Sequence, residues 1–163
     1  MAAKLDATDW RILRTLMLDG RMTNVQLAQR VGITPPPCLR RVRALEDAGL
    51  IRGYHAELDH IALGYELTVF VMVSLHSHTE SDLQAFENVV LAWPLVRESY
   101  MMSGEVDFLM KCIAPSMSVF QEFLISQLTA TPNVASVKTA VSIKRTKLEP
   151  GLPIDANPVN DTS

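Results

Sequence analysis

The first fifty residues of the chain show three stretches of helical apolar periodicity, each bounded by residues that favour helix ends. Asp6 can cap a first helix whose apolar positions lie within 12–17, and Gly20 ends it. Thr23 and Gln26 have the spacing of a capping box, which predicts a short second helix. The pattern therefore predicts capped helices rather than strands in this part of the chain.

The third helix is predicted to begin at Pro35, because proline at the first helical position needs no hydrogen bond for its missing N–H. Its buried stripe consists of Cys38, Val42 and Leu45, spaced i, i+4 and i+7. Only residues 32–34, which include a glycine, separate it from the second helix. A short helix, a tight turn and a longer helix form the helix-turn-helix pattern.

The opposite face of the third helix carries side chains that suit contact with DNA. In a helix-turn-helix the second helix enters the major groove, where arginine can contact guanine edges or phosphates. The following residues, 50–58, are predicted to form a short hairpin, with Gly53 in its turn and Arg52 near the phosphate backbone. The residues on the exposed helix face are Pro36, Pro37, Arg40, Arg41, Arg43 and Ala44.

From residue 66 onward the periodicity changes to alternating strands and helices. The predicted elements are strands at 66–77, 96–102, 107–113 and 134–147, and amphipathic helices at 81–92 and 117–128. This order is that of the split βαβ, ferredoxin-like fold, whose antiparallel sheet has helices on one face only. We expect Val69, Val71 and Val73 on the other face, where a second copy can stack to give a two-fold dimer.

Charge separates the two parts of the chain. The whole sequence of 163 residues has 15 basic and 18 acidic side chains, a net charge of -3 that argues weakly against a nucleic-acid partner. Residues 1–57 nevertheless carry nine basic and six acidic groups, a local surplus of +3. Exposed arginines are usually only a solvated surface, and three capped helices can also bind protein. The surplus together with the helix-turn-helix spacing favours DNA.

The remaining chemistry-bearing residues give little sign of a cofactor, metal or catalytic site. Cys38 and Cys112 form neither a disulfide framework nor a metal-ligand pair. His76 and His78 could form half of a metal site, although surface histidines at a strand end are the simpler interpretation. The longest apolar stretch, 67–75, has half of the ~20 residues that a membrane helix needs. We expect a soluble, cytoplasmic protein that needs no cofactor and is not an enzyme.

Five segments carry a resemblance to a known family. They are LDATDWRIL (5–13), DGRMTNVQLAQRVGIT (19–34), PPPCLRRVRALEDAGLIRGYHAELD (35–59), LGY (63–65) and MSGEVDFLMK (102–111). The sequence resembles the leucine-responsive/asparagine-operon (Lrp/AsnC) family of bacterial and archaeal transcriptional regulators. The resemblance covers roughly residues 4–148.

The resemblance implies an α+β protein with two functional domains. Residues 1–58 would be a winged helix-turn-helix that binds double-stranded operator DNA, and 59–65 a linker. Residues 66–148 would be a ferredoxin-like βαββαβ domain, of the type found in regulators of amino-acid metabolism, which binds the effector and assembles the protein. We expect 149–163 to be a flexible tail. The family's effectors are commonly amino acids, and its homodimers assemble into tetramers or octamers.

The resemblance also transfers site residues onto this chain. The DNA-reading positions fall at Thr34, Pro36, Pro37, Arg40, Arg41 and Ala44. The effector loop falls at Ser103, Gly104, Glu105, Val106 and Asp107. Its pocket also draws on Met101, Met117, Thr139, Ala140, Val141 and Ser142.

Two questions stay open at the level of sequence. Backbone N–H groups beside Gly104 suit an α-carboxylate, and Asp107 can either pair with an α-ammonium or cap a turn at the start of its strand. Pro36 stands where members of the family often have a hydroxyl residue. An effector-binding module with weak or lost DNA recognition is therefore the alternative to a DNA-binding regulator.

Overall fold

The computed structural model describes residues 5–149 and 151–154. These residues divide into two compact units, one of 5–57 together with the described residues after 146, the other Leu58–Thr146. Of the predicted flexible tail, residues 150 and 155–163 lie outside the described residues, as do residues 1–4 of the predicted DNA-binding domain. No helix in the described ranges is both long enough and apolar enough to cross a membrane.

Three helices form the first unit, in the places that the apolar pattern predicts. They are α1 (Ala7–Leu18), α2 (Asn24–Val31) and α3 (Pro35–Asp47). Their inward side chains make one small core, which consists of Ile12, Leu27, Ala28, Val31, Cys38 and Leu45. The predicted helix-turn-helix is therefore present, with α2 and α3 as its two helices.

Reciprocal hydrogen bonds fix the starts of the first two helices. The Asp6 carboxylate accepts the N–H groups of Thr8 and Asp9 at 2.8 and 2.9 Å, while the Asp9 carboxylate accepts the Asp6 N–H at 3.0 Å. Thr23 and Gln26 form the predicted capping box of α2, with the Thr23 N–H donating to the Gln26 side chain at 2.8 Å. Such caps satisfy backbone donors that a helix leaves unpaired at its N-terminus.

The predicted hairpin after α3 is wrong, because no residue of 50–58 lies in a strand. The Ile51 N–H donates instead to the Leu45 carbonyl at 3.2 Å, and the Ile51 side chain packs against the helical core. The Tyr54 hydroxyl donates to Glu46 at 2.9 Å. Since Ile51 and Tyr54 are held by the helices, the segment lies against them and forms no strand pairing with itself.

The second unit has the predicted βαββαβ order. Its elements are β1 (Leu67–Leu75), α4 (Glu80–Leu91), β2 (Val96–Met101), β3 (Phe108–Ala114), α5 (Met117–Phe123), which continues as a π-helical turn (Leu124–Leu128), and β4 (Val134–Val141). The sheet is antiparallel throughout, in the order β2-β3-β1-β4. This is the ferredoxin-like arrangement.

The face of the sheet that packs against the helices is the one that we expected to be open. Val69, Val71 and Val73 are fully buried in a core with aromatic residues of the helices, such as Phe86 and Phe123, so their expected place on the open face is wrong. The alternate residues of β1, which include Phe70 and Met72, take the open face. The open-face set also contains Thr68 and Ser74, whereas the buried set is apolar throughout, so the alternation of β1 itself favours the valines for the face that meets the helices.

Candidate nucleic-acid interface and effector site

The exposed face of α3 presents most of the residues predicted to contact DNA. Pro36, Arg40 and Ala44 recur every four residues and are all solvent-exposed, so they share one side of the helix. Thr34, just before the helix, is exposed, and Pro37 is half-buried. Thr34 occupies the cap position but its side chain makes no capping hydrogen bond.

The turn between α2 and α3 fixes the helix that carries this face. Gly32 adopts a left-handed conformation with φ of 75°, which an L side chain rarely adopts. The Ile33 N–H then donates to the Ala28 carbonyl at 3.0 Å. The Asn24 side-chain amide donates to the Pro35 carbonyl at 2.8 Å and ties the start of α2 to the start of α3. Sequence reasoning missed Asn24, whose one signal was a polar side chain directly after the Thr23 cap.

Arg41 makes contacts that differ from those of the other arginines of α3. Its Nη1 lies 2.7 Å from Asp6 Oδ2 and 2.7 Å from Asp9 Oδ1. The hydrogen bond to Asp9, and then that to Asp6, raise the pKa of Arg41. The pKa of Asp6 is lowered, first by the Asp9 N–H and then by Arg41. Arg41 thus joins α3 to the start of α1, a role that the sequence did not indicate.

Arg40 and Arg43 are both exposed and make no ion pair with any residue of the described ranges. Arg52 is likewise exposed and makes no ion pair within these ranges, in the segment that replaces the predicted hairpin. Exposed guanidinium groups without an ion-pair partner are suited to contacts with phosphates and base edges.

The loop between β2 and β3 has a backbone that suits an anionic ligand. Gly104 has φ of 142°, and the space where a Cβ would stand is open for 4 Å. Among the described residues, no acceptor is hydrogen-bonded to the N–H groups of 103–106. Consecutive free N–H groups at an exposed loop are a favourable place for a carboxylate.

Asp107 holds this loop to the neighbouring strands. Its Oδ2 accepts the Leu75 N–H at 2.7 Å, and its own N–H donates to the Val73 carbonyl at 2.9 Å. Its carbonyl accepts the Met102 N–H at 2.8 Å. The Asp107 carboxylate thus binds the end of β1 rather than a turn of its own loop, and it keeps a second oxygen for another partner.

His78 is that second partner in the structure. Its Nε2 lies 3.0 Å from each of the two carboxylate oxygens of Asp107. Sequence reasoning considered His76 and His78 only as half of a metal site. Within the described ranges no group of three or more His, Cys, Asp or Glu side chains could hold a metal ion.

The other predicted effector residues do not meet at this loop within one chain. Met101 is exposed at the end of β2, beside the loop. Met117 begins α5 and is separated from the loop by the whole length of β3. Thr139, Ala140 and Val141 are exposed on β4, with β1 lying between them and β3, and Ser142 follows β4. One chain alone therefore brings together only Met101 and the loop.

An apolar groove of about 550 Å³ lies elsewhere in the second unit. Leu58, Leu63 and Tyr65 line one part of it, and Pro94 and Leu95 another. None of the predicted effector residues contributes to its lining.

Comparison with known proteins assigns both units. The model of the Lrp/AsnC ligand binding domain matches residues 68–152, and that of a winged helix-turn-helix DNA-binding domain matches residues 5–52. A leucine-responsive regulatory protein of Rhizobium meliloti is 55% identical over 144 residues, which are 88% of this chain and 92% of that protein. The Bkd operon transcriptional regulator of Pseudomonas aeruginosa is 39% identical over 152 residues, 93% of this chain and 99% of that protein.

Solved structures agree with these matches. A transcriptional regulator from Neisseria meningitidis, solved as an L-Met complex, superposes with a TM-score of 0.88 at 35% identity and covers 93% of this chain and 98% of its own. An AsnC family transcriptional regulator from Agrobacterium tumefaciens gives a TM-score of 0.86 at 33% identity, with 91% and 97% covered. These relatives are transcriptional regulators and not enzymes. The chain therefore belongs to the Lrp/AsnC family of transcriptional regulators, with a winged helix-turn-helix DNA-binding domain and a ligand-binding domain.

Proposed function

We propose that this regulator binds a palindromic operator as a homodimer or a larger assembly, and that an amino acid changes its DNA affinity or its assembly. Such a protein acts in the cytoplasm, where operator DNA is found. It needs no small molecule other than the amino acid. DNA binding is supported by Arg40 and Arg43 of α3, which are exposed and make no ion pair within the described ranges.

The positions of most candidate DNA-binding residues indicate what each would contact. Pro36, Arg40 and Ala44 share the outer side of α3, so they reach base edges when the helix enters the major groove. Arg43 and Arg52 contact phosphates from the flanks. Arg41 contributes indirectly, since its ion pairs with Asp6 and Asp9 hold α3 in place.

Two DNA-binding units on one operator supply the affinity that one unit lacks. Residues 1–57 carry nine basic and six acidic groups, a surplus too small for strong phosphate binding by a single unit. A two-fold dimer places two recognition helices about 34 Å apart, one turn of B-DNA. The open sheet face, which carries Phe70 and Met72, is the surface through which two copies pair.

The effector part of the proposal rests on complementary charges at the β2–β3 loop. A zwitterionic amino acid needs hydrogen-bond donors for its carboxylate and an acceptor for its ammonium group. The free N–H groups of 103–106 meet the first need and the Asp107 carboxylate the second. The L-Met complex of the relative from Neisseria meningitidis supports an amino acid as ligand. An apolar side chain would then contact Met101.

The remaining pocket residues belong to the site only if another copy supplies them. Met117, Thr139, Ala140, Val141 and Ser142 lie away from the loop of their own chain. We therefore place the effector between copies, in a tetramer or octamer in which these residues approach the loop of a neighbour.

A thermal-shift screen with the twenty amino acids tests the effector part. We expect at least one amino acid to raise the melting temperature, and Asp107→Asn to abolish that rise. Asparagine keeps an oxygen to accept the Leu75 N–H but loses the charge that binds an ammonium group. An unchanged shift in Asp107→Asn would refute the pairing of Asp107 with the ammonium group.

A further inference from the structure

We propose that His78 competes with the effector's ammonium group for Asp107 and thereby makes effector binding weaker at low pH. The inference rests on the proposed function, because it concerns the regulation of the same site. It assigns a role to one histidine of the pair that the sequence showed only as a doubtful metal half-site.

The imidazole of His78 lies where a cation bound to the Asp107 carboxylate would lie. The imidazole Nε2 is 3.0 Å from both carboxylate oxygens, so it covers the position that an ammonium group would take. The other partner of the carboxylate is the backbone N–H of Leu75, at 2.7 Å on Oδ2. That backbone group is fixed within the sheet, so the partner that can yield is His78.

Exposure shows that the imidazole is the outer, movable partner. The His78 side chain is 58% exposed, whereas that of Asp107 is 21% exposed. An exposed histidine can rotate away at little cost, since it loses only a solvent-screened contact. A ligand that reaches Asp107 from solvent must therefore displace the imidazole and nothing else that the structure describes.

The charges around His78 give the direction of the pH effect. The titratable groups on its own segment are His76, Glu80 and Asp82, and Glu105 and Asp107 stand on the loop that it contacts. Asp107 is the one ion-pair partner of His78 among the described residues. The nearby carboxylate of Asp82 accepts the hydroxyl groups of Ser77 and Thr79 instead. The turn before β4 contributes the uncharged Asn133, which hydrogen-bonds the Ser77 backbone.

Protonation of the imidazole strengthens its attachment to Asp107, because a charged donor binds a carboxylate more strongly than a neutral one. A protonated His78 and an ammonium ligand are then two cations competing for one carboxylate. An uncharged imidazole donates only a hydrogen bond without a positive charge and yields more easily. Effector affinity should therefore be higher at high pH than at low pH.

The test is isothermal titration calorimetry on the full-length protein with the strongest binder among the twenty amino acids, at about pH 6 and about pH 8. His78→Ala and His78→Gln are compared with the wild type. His76→Ala is the matched control, because that neighbouring histidine is also exposed and its side chain makes no ion pair within the described ranges. Both His78 variants lack the imidazole, and glutamine retains an N–H donor.

We expect His78→Ala to bind the amino acid about two- to fivefold more tightly than the wild type at about pH 6, with little difference at about pH 8. His78→Gln should also lose the pH dependence, and His76→Ala should behave like the wild type. A wild type that binds while His78→Ala keeps the same affinity and pH profile would overturn the role of His78 alone. A wild type that binds none of the amino acids would overturn the proposed function, and the role of His78 with it.

Discussion

The guanidinium group of Arg41 lies 2.7 Å from the carboxylate of Asp9, although the two residues are 32 positions apart in the chain. Asp6, which caps the same helix, accepts from the same nitrogen at 2.7 Å. The contact joins α3 to the start of α1. Two neighbouring arginines of α3 consequently differ, since Arg41 is engaged by α1 and Arg40 makes no ion pair within the described ranges, which is why we propose Arg40 for the DNA contact.

The first prediction separates these two arginines. Arg40→Ala should lower operator affinity by about 5- to 150-fold, the effect of losing a base contact, and leave the melting temperature unchanged. Arg41→Ala should lower the melting temperature, because it removes both ion pairs to the start of α1. Fluorescence anisotropy and thermal denaturation on the same preparations give the two values. A lower melting temperature in Arg40→Ala, or an unchanged one in Arg41→Ala, would contradict the division of roles between the two arginines.

The second prediction concerns acid stability. The pKa of Asp6 is lowered in the folded protein from 3.8, first by the Asp9 N–H and then by Arg41. The ionised carboxylate therefore stabilises the fold fully above pH 3.8, and this stabilisation is lost as the pH falls through the lower folded-state pKa. Asp6→Asn should unfold with a weaker dependence on pH in that acid range than the wild type. Chemical denaturation at several acid pH values measures it, and parallel curves for both proteins would contradict it.

The third prediction concerns the segment that replaces the hairpin. Burial, and then the hydrogen bond to Glu46, raise the pKa of Tyr54 to about 12. Its contribution to stability is present below the ordinary value of 10.0 and is lost as the pH rises towards about 12. Absorbance titration of the tyrosines should show a late-titrating group that Tyr54→Phe removes and Glu46→Gln shifts towards lower pH. If the late-titrating group persisted in Tyr54→Phe, it would belong to another tyrosine and the prediction for Tyr54 would be wrong.

The fourth prediction concerns the described residues near the C-terminus. The Leu152 N–H donates to Met17 Sδ at 3.2 Å, and a Cβ at Gly151 would overlap the Met17 side chain. Gly151 also has φ of 71°, which disfavours any L side chain. Gly151→Ala should therefore lower the free energy of unfolding by about 1 kcal/mol.

Gly49→Ala is the matched control for that variant. Gly49 has nearly the same φ, 70°, but no atom lies within 4 Å of its Cβ position, so alanine there introduces backbone strain alone. We expect Gly151→Ala to be at least as destabilising as Gly49→Ala. A neutral Gly151→Ala beside a destabilising Gly49→Ala would mean that residues 151–154 do not pack on α1 in solution.

Local patterns predicted the elements well because each helix start depends on neighbouring residues. The Thr23–Gln26 capping box and the glycine turn at 32 are readable within a few positions, and so is the order of strands and helices. The final strand was predicted to extend to residue 147 but ends at Val141. The Ser142 N–H still donates to the Thr68 carbonyl of β1 at 2.9 Å, but β1 begins at Leu67, so the register leaves the residues from 144 onward without a strand beside them.

The candidate sites depended on contacts that no local pattern contains. Arg41 reads as one more exposed arginine of α3 until the fold brings Asp9 beside it. His78 and Asp107 are 29 positions apart and meet only because β1 and β3 are paired. The face of β1 that meets the helices, by contrast, was readable from the sequence, because Val69, Val71 and Val73 alternate with positions that include Thr68 and Ser74.

Operator recognition is tested most directly by selecting binding sites from random duplex DNA and then titrating the selected site against a scrambled duplex. We predict enrichment of a palindromic site that the protein binds at least about 10³-fold more tightly than the scrambled duplex. Log affinity should fall with log salt concentration by about 0.9 for each phosphate neutralised. No enrichment, and equal affinity for both duplexes, would contradict operator recognition and leave a ligand-binding module without a DNA target.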